Sequence, residues 1–150
     1  MNDEMVWPSL SSYPDEFWKR LSVPELRDQS ITQLLSGEGL SYSTVEQLAR
    51  HSGLKLPELA QLLNISASTL RRRRVRGYFN PSESYCLFGI FAVIGNAIDL
   101  FDGDISSALE WLRKPQRGLL GQRPIAVAAN LDGHETVLTL IGQLEHGVLP

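Results

Sequence analysis

The chain has 150 residues, 43% of them hydrophobic and 21% charged, with a formal net charge of −3. That length bounds one domain or two small modules sharing a core, and the hydrophobic content excludes global disorder. Cys86 is the only cysteine, which excludes an intrachain disulfide and a thiolate metal cluster.

The net charge alone argues against a nucleic-acid partner, but its distribution argues for one. Residues 1–40 and 81–150 are each acidic. Residues 55–80 carry Lys55, Arg71, Arg72, Arg73, Arg74 and Arg76 against Glu58 alone. One compact basic island in an acidic chain steers a polyanion locally. The N-terminus, Met1-Asn2-Asp3-Glu4, is acidic and lacks an apolar core segment, so no signal peptide is expected. The longest apolar stretch, Tyr85 to Leu100, is interrupted by Asn96 and Asp99 and is short for a bilayer. A cytoplasmic protein with no membrane partner is expected.

In chain order, Pro8, Pro14 and several serines make residues 1–14 read as an N-terminal arm. Short helices are expected from Pro14 to Trp18 and between Val23 and Gly37, completing an arm over residues 1–40. From Ser43, Val45, Leu48 and Ala49 recur at helical spacing and Gly53 ends the segment. Pro57-Glu58 opens a helix whose buried stripe is Leu59, Leu62 and Leu63. Asn64 stands at a sharp turn, and Ser66 caps a helix running to about Arg76. Asn80-Pro81-Ser82-Glu83 carries a cap, a first-turn Pro and a capping-box Glu. The helix it starts, to about Phe101, is apolar almost all round, which requires a core or a subunit interface. Asp104 caps the next helix, and Pro115 stops it. A loop from Gln116 to Arg123 follows, and Pro124 starts a short helix. Asn130 or Asp132 caps the last one, with Val137, Leu140, Ile141 and Leu144 on its buried face. Gly142 inside that helix costs about 1 kcal/mol relative to Ala, so close packing is expected there. No strand pattern competes, and the fold class is all-α.

The segment Leu59-Ala60-x-x-Leu63-Asn64-Ile65-Ser66-x-x-Thr69-Leu70 spaces its apolar anchors as a helix-turn-helix requires. With Leu70 facing inward, Ser68, Thr69, Arg72 and Arg76 point outward, flanked by Arg71 and Arg73. Arginine reads guanine edges bidentately, and all these groups bind phosphate. The plainer alternative is a solvated basic face on a helical hairpin.

No catalytic or metal-binding constellation is expected, and no cofactor. The spacing of Asp102, Asp104, His134 and His146 fits no ligand pattern; the two aspartates read as a turn and a helix cap. Cys86 lies in the apolar helix and reads as buried filler. Gly147 follows the last apolar repeat as a helix C-cap, so Val148-Leu149-Pro150 project past the fold. Fraying is the common fate of such a terminus, but an apolar tail also plugs a partner's cleft.

These residues together resemble the Xre/MbcA/ParS antitoxins, partners of RES-domain toxins in bacterial type II toxin–antitoxin systems. The matching features run from Leu59 to Val148. They include Ser66-x-x-Thr69-Leu70-Arg71-Arg72-Arg73-Arg74, Pro81-x-Glu83-Ser84 and Leu100-Phe101-Asp102. They continue with Ala108-x-x-Trp111-Leu112-x-x-Pro115, Leu120-Gly121-x-x-Pro124, Gly133-x-x-x-Val137 and Gly142-x-x-Glu145-x-Gly147-Val148. The resemblance implies a homodimer with a central helix-turn-helix over residues 41–80. It also implies a C-terminal dimerisation and toxin-binding domain over residues 81–150. It further implies inhibition of an NAD-consuming toxin, assembly with it into a higher hetero-oligomer, and repression of the protein's own operon through operator DNA. The protein itself is not expected to be an enzyme. The DNA-contacting residues are expected to be Ser68, Thr69, Arg71, Arg72, Arg73 and Arg76. The toxin-contacting residues are expected to be Trp111, Arg113, Pro115, Gly121, Pro124, Glu145, His146, Gly147, Val148 and Leu149. The alternative is a stand-alone helix-turn-helix repressor without a toxin partner.

Overall fold

Capping side chains set four of the seven helix starts among the described residues. Its structure is a computed structural model that describes residues 39–130 and 133–147. The arm helices expected before residue 39, Asp132 as a cap, and the tail residues Val148 and Leu149 lie outside the described residues. Ser41 starts α1 (Tyr42–Ser52) by accepting the Thr44 N–H, and Gly53 ends it in left-handed geometry. Pro57 occupies the first turn of α2 (Leu56–Leu62). Asn64 takes the turn at φ 56°. Ser66 caps α3 (Ala67–Arg76) by accepting the Thr69 N–H. Asn80 and Glu83 close a full capping box on α4 (Pro81–Leu100), which satisfies two of the N–H groups a helix start leaves open. Asp104 caps α5 (Ile105–Leu112) through the Ser107 N–H. A 3-10 turn, Arg117–Leu119, leads to α6 (Pro124–Ala128), with Pro124 in its first turn. The last element is α7 (Gly133–Glu145). Among the described residues there is no strand, only isolated bridges at Ser41–Tyr78 and Gln116–Gln122.

The centre of the fold is α4. It packs against α7, α5, α6 and α1, while α2 packs on α3 and α6 on α7. Leu87, Ile90, Phe91, Val93, Ile94 and Ala97 are buried along it on every side. Each such large side chain stabilises the fold by roughly 1.5–3 kcal/mol relative to an exposed position. By length and hydropathy α4 matches a membrane span, but here it is the core helix around which the others assemble. Its all-round apolar surface is met by helices of its own chain, so core packing accounts for it without a subunit interface. Among the described residues, one cluster of buried side chains runs from Leu40 to Ile141.

Two close approaches hold this arrangement. At Gly89, an added Cβ would lie 2.9 Å from the His134 Cβ, so the absent side chain lets α4 and α7 meet. His134 is buried there, edge-on to Tyr85 at 5.7 Å. The segments flanking the helix-turn-helix are stitched together: Tyr42 N–H donates to the Gly77 carbonyl at 2.8 Å and Phe79 N–H to that of Leu40 at 2.9 Å. Gly142 contradicts its expected close packing, because a Cβ there would meet nothing within 4 Å among the described residues. Cys86 is half-buried, and burial followed by the Glu83 charge pushes its thiol up, leaving it a weak nucleophile.

Candidate functional site

The basic helix α3 stands on the core with no fully buried residue of its own. Leu70 is half-buried and packs against the core cluster. Ser68, Arg71, Arg72 and Val75 follow the i, i+3, i+4, i+7 spacing of one helix face, and all four are exposed. Val75 is 89% exposed. Two side-chain contacts lie along this helix: Arg71 Nη2 approaches Ser68 Oγ at 3.5 Å, and Arg72 Nη2 donates to Thr69 Oγ1 at 3.0 Å. Thr69 is thereby half-buried between Arg72 and Ser66, whose hydroxyl donates to it at 3.0 Å.

The remaining arginines divide by partner. Arg73 turns inward and holds Glu83 bidentately, Nε to Oε1 at 2.8 Å and Nη2 to Oε2 at 2.9 Å. The two side chains are only 15% and 10% exposed. Burial pushes the Glu83 carboxyl up. The Arg73 hydrogen bonds, the Asn80 N–H and the charges of Arg73 and Arg76 outweigh it and hold the carboxyl below its usual range. Arg73, expected on the DNA face, is therefore committed to anchoring α3 on the start of α4. Arg76 lies over the Tyr78 ring at 4.5 Å and donates to the Tyr78 carbonyl at 3.3 Å. Arg74 is exposed and close enough for its charge to act on the Tyr42 hydroxyl. Arg74 and Val75 are not among the residues expected from sequence to contact DNA, although helical spacing from Ser68 already marks Val75.

The C-terminal residues also separate. Trp111 is half-buried and packs on Phe101 at 6.4 Å. Arg113 holds Glu58 on α2 bidentately, at 2.8 and 3.0 Å, so it joins the helix-turn-helix to the second half of the chain. Pro124 is buried at the start of α6. Pro115, Gly121, Glu145, His146 and Gly147 are exposed. Gly147 takes φ 71° and closes α7 with its N–H on the Leu144 carbonyl at 3.2 Å. Asp104 is spent on its cap, and no group of three His, Cys, Asp or Glu side chains converges among the described residues.

A tight two-helix corner with a polar and basic outer face, fused through one core to a second helical unit, defines a helix-turn-helix DNA-binding protein with an appended interaction domain. A family model described as the antitoxin Xre-like helix-turn-helix domain matches residues 35–84. A second, described as the antitoxin Xre/MbcA/ParS C-terminal toxin-binding domain, matches residues 96–147. The chain belongs to the Xre/MbcA/ParS antitoxins. It is 27% identical over 143 residues to an "Antitoxin Xre" of Photorhabdus laumondii subsp. laumondii, an overlap covering 95% of this chain and 96% of that protein. It is 28% identical over 142 residues to an "Antitoxin Xre" of Yersinia enterocolitica, covering 94% and 95%. The protein is thus an antitoxin that binds DNA through one domain and a toxin through the other; its role is binding, not catalysis.

Proposed function

We propose that this antitoxin inhibits a RES-domain toxin that consumes NAD, and represses its own operon as a homodimer in the cytoplasm. The observation that carries the DNA half is the exposed face of Ser68, Arg71, Arg72 and Val75 on α3. A groove-inserted helix with this face contacts phosphates and guanine edges through its arginines and a thymine methyl through Val75. Arg74 and Arg76 add phosphate contacts from the flanks, and Ser68 and Thr69 lie at the helix start nearest the bases. One helix buries too little surface for specific binding, which favours a dimer reading two half-sites.

The toxin half of the reading rests on the exposed end of α7. Glu145 and His146 stand at the surface where Gly147 turns the chain; Val148 and Leu149, next in sequence, are apolar residues suited to a partner's cleft. A dinucleotide-binding cleft carries cationic groups for pyrophosphate, and Glu145 suits pairing with one of them. Occupying that cleft excludes NAD sterically, and a dimeric antitoxin would assemble toxins into a higher hetero-oligomer. The test is co-expression with the product of the neighbouring reading frame. Stable co-purification, together with NAD depletion that appears only when the antitoxin is absent, is expected. A neighbour that neither co-purifies nor depletes NAD would overturn the assignment of a RES-domain toxin as the partner.

A further inference from the structure

Leu120 combines two unfavourable features in one residue. Its side chain is 95% exposed, and its backbone lies in the left-handed region at φ 56°, ψ 37°. Leucine enters that region at a steric cost that glycine avoids. Neither feature stabilises the chain that carries it. The residue before it behaves oppositely: Leu119 is 6% exposed and roots the loop in the core.

The loop that displays Leu120 is firmly built. Gln116 N–H donates to the Gln122 carbonyl at 3.1 Å, and Gly121 N–H to that of Gln116 at 2.9 Å. Leu120 N–H donates to the Arg117 carbonyl at 3.1 Å. The Gln116 side chain ties the base down through the carbonyls of Trp111 and Lys114, both at 3.2 Å. Arg117, Gln122 and Arg123 are exposed around the tip. An apolar knob on a preorganised loop, rimmed by polar and basic groups, has the anatomy of an interface anchor. It stands in the middle of residues 96–147, the span matched as toxin-binding.

We infer that Leu120 is an apolar anchor of the antitoxin, inserted into a small apolar pocket on the toxin whose rim bears carboxylates facing Arg117 and Arg123. The inference rests on the toxin-binding role of this domain and adds a contact independent of the C-terminal tail. In the free protein the loop's own hydrogen bonds hold the strained, exposed residue in place, and burial against the toxin offsets that cost on binding. The backbone hydrogen bonds hold the knob ready, so little ordering is lost on binding.

Leu120→Gly tests this directly, because it removes the side chain and relieves the backbone together. The full-length variant should melt at the same temperature as the parent or higher, keep its solution mass and bind operator DNA unchanged. Its Kd for the purified toxin encoded beside it, measured by calorimetry, should rise about 10- to 100-fold, as expected for losing one fully buried leucine. Leu120→Asp should weaken binding further. An unchanged Kd for Leu120→Gly, where the parent binds, overturns the anchor alone. A changed mass of the free variant overturns it as well, by assigning Leu120 to self-association. Failure of the parent to bind that toxin overturns the pairing itself, and the anchor with it.

Discussion

At the scale of single residues, the arginines of α3 carry the same charge yet have different roles. Among the described residues, Arg71 and Arg72 are held by nothing stronger than Ser68 and Thr69. Replacing both with Ala should weaken operator binding and lower the slope of log K against log salt by about 0.9 per lost phosphate contact. A salt titration of operator binding checks this, and an unchanged slope would remove both from the phosphate-contacting set. Arg73 instead belongs to the fold, because Glu83 depends on it. Glu83 is held below its usual value, so its ionised form favours folding. That contribution is fully present above the unfolded value of about 4.3 and is lost as pH falls through the lower folded value. Glu83→Gln should therefore cost on the order of 3 kcal/mol at neutral pH by leaving Arg73 partly buried without its counter-charge. The gap in Tm between parent and variant should close in acid. A gap that stays constant from pH 7 to pH 3 would contradict the pairing.

At the scale of elements, the caps and the packing faces follow different rules. A cap is local: Ser66, Asn80 and Asp104 each bond a backbone N–H three residues on, and each stands where the sequence pattern predicts it. Packing is not local, and the glycines show it. Gly89 lies inside a run of apolar residues and gives no sign of special use, yet it is where α7 crosses α4. Gly142 suggests close packing and, among the described residues, faces open space instead. Gly142→Ala should therefore stabilise the protein by up to about 1 kcal/mol through helix propensity alone. A rise of a few degrees in a thermal melt is expected. A fall would mean that something approaches α7 in the folded protein at that position.

At the scale of the whole molecule, the two halves share one core and are joined again at the surface by Glu58 and Arg113. The matched DNA-binding and toxin-binding spans end and begin within α4, so the helix that closes one domain is the axis of the other. A chain ending at Leu144 keeps this core. It should fold and bind operator DNA, yet protect cells poorly when the toxin is co-expressed; full protection would make the tail dispensable. Among the described residues, the sequence by itself determined the capped helix starts at Ser66, Asn80 and Asp104, the helix-turn-helix and the basic island, because caps, turns and periodicity act over three or four residues. It also identified the family, through a Trp-Leu-x-x-Pro, Gly-x-x-Pro and Glu-x-Gly-Val series spread along one half of the chain. Only the tertiary structure decided which arginines have carboxylate partners, because Arg73 and Arg113 find theirs on other helices, 10 and 55 residues away. It likewise buried Pro124 and left Leu120 exposed, four residues apart in the same motif. Whether a side chain meets a partner or the core depends on which elements surround it, and that is settled only when the chain packs.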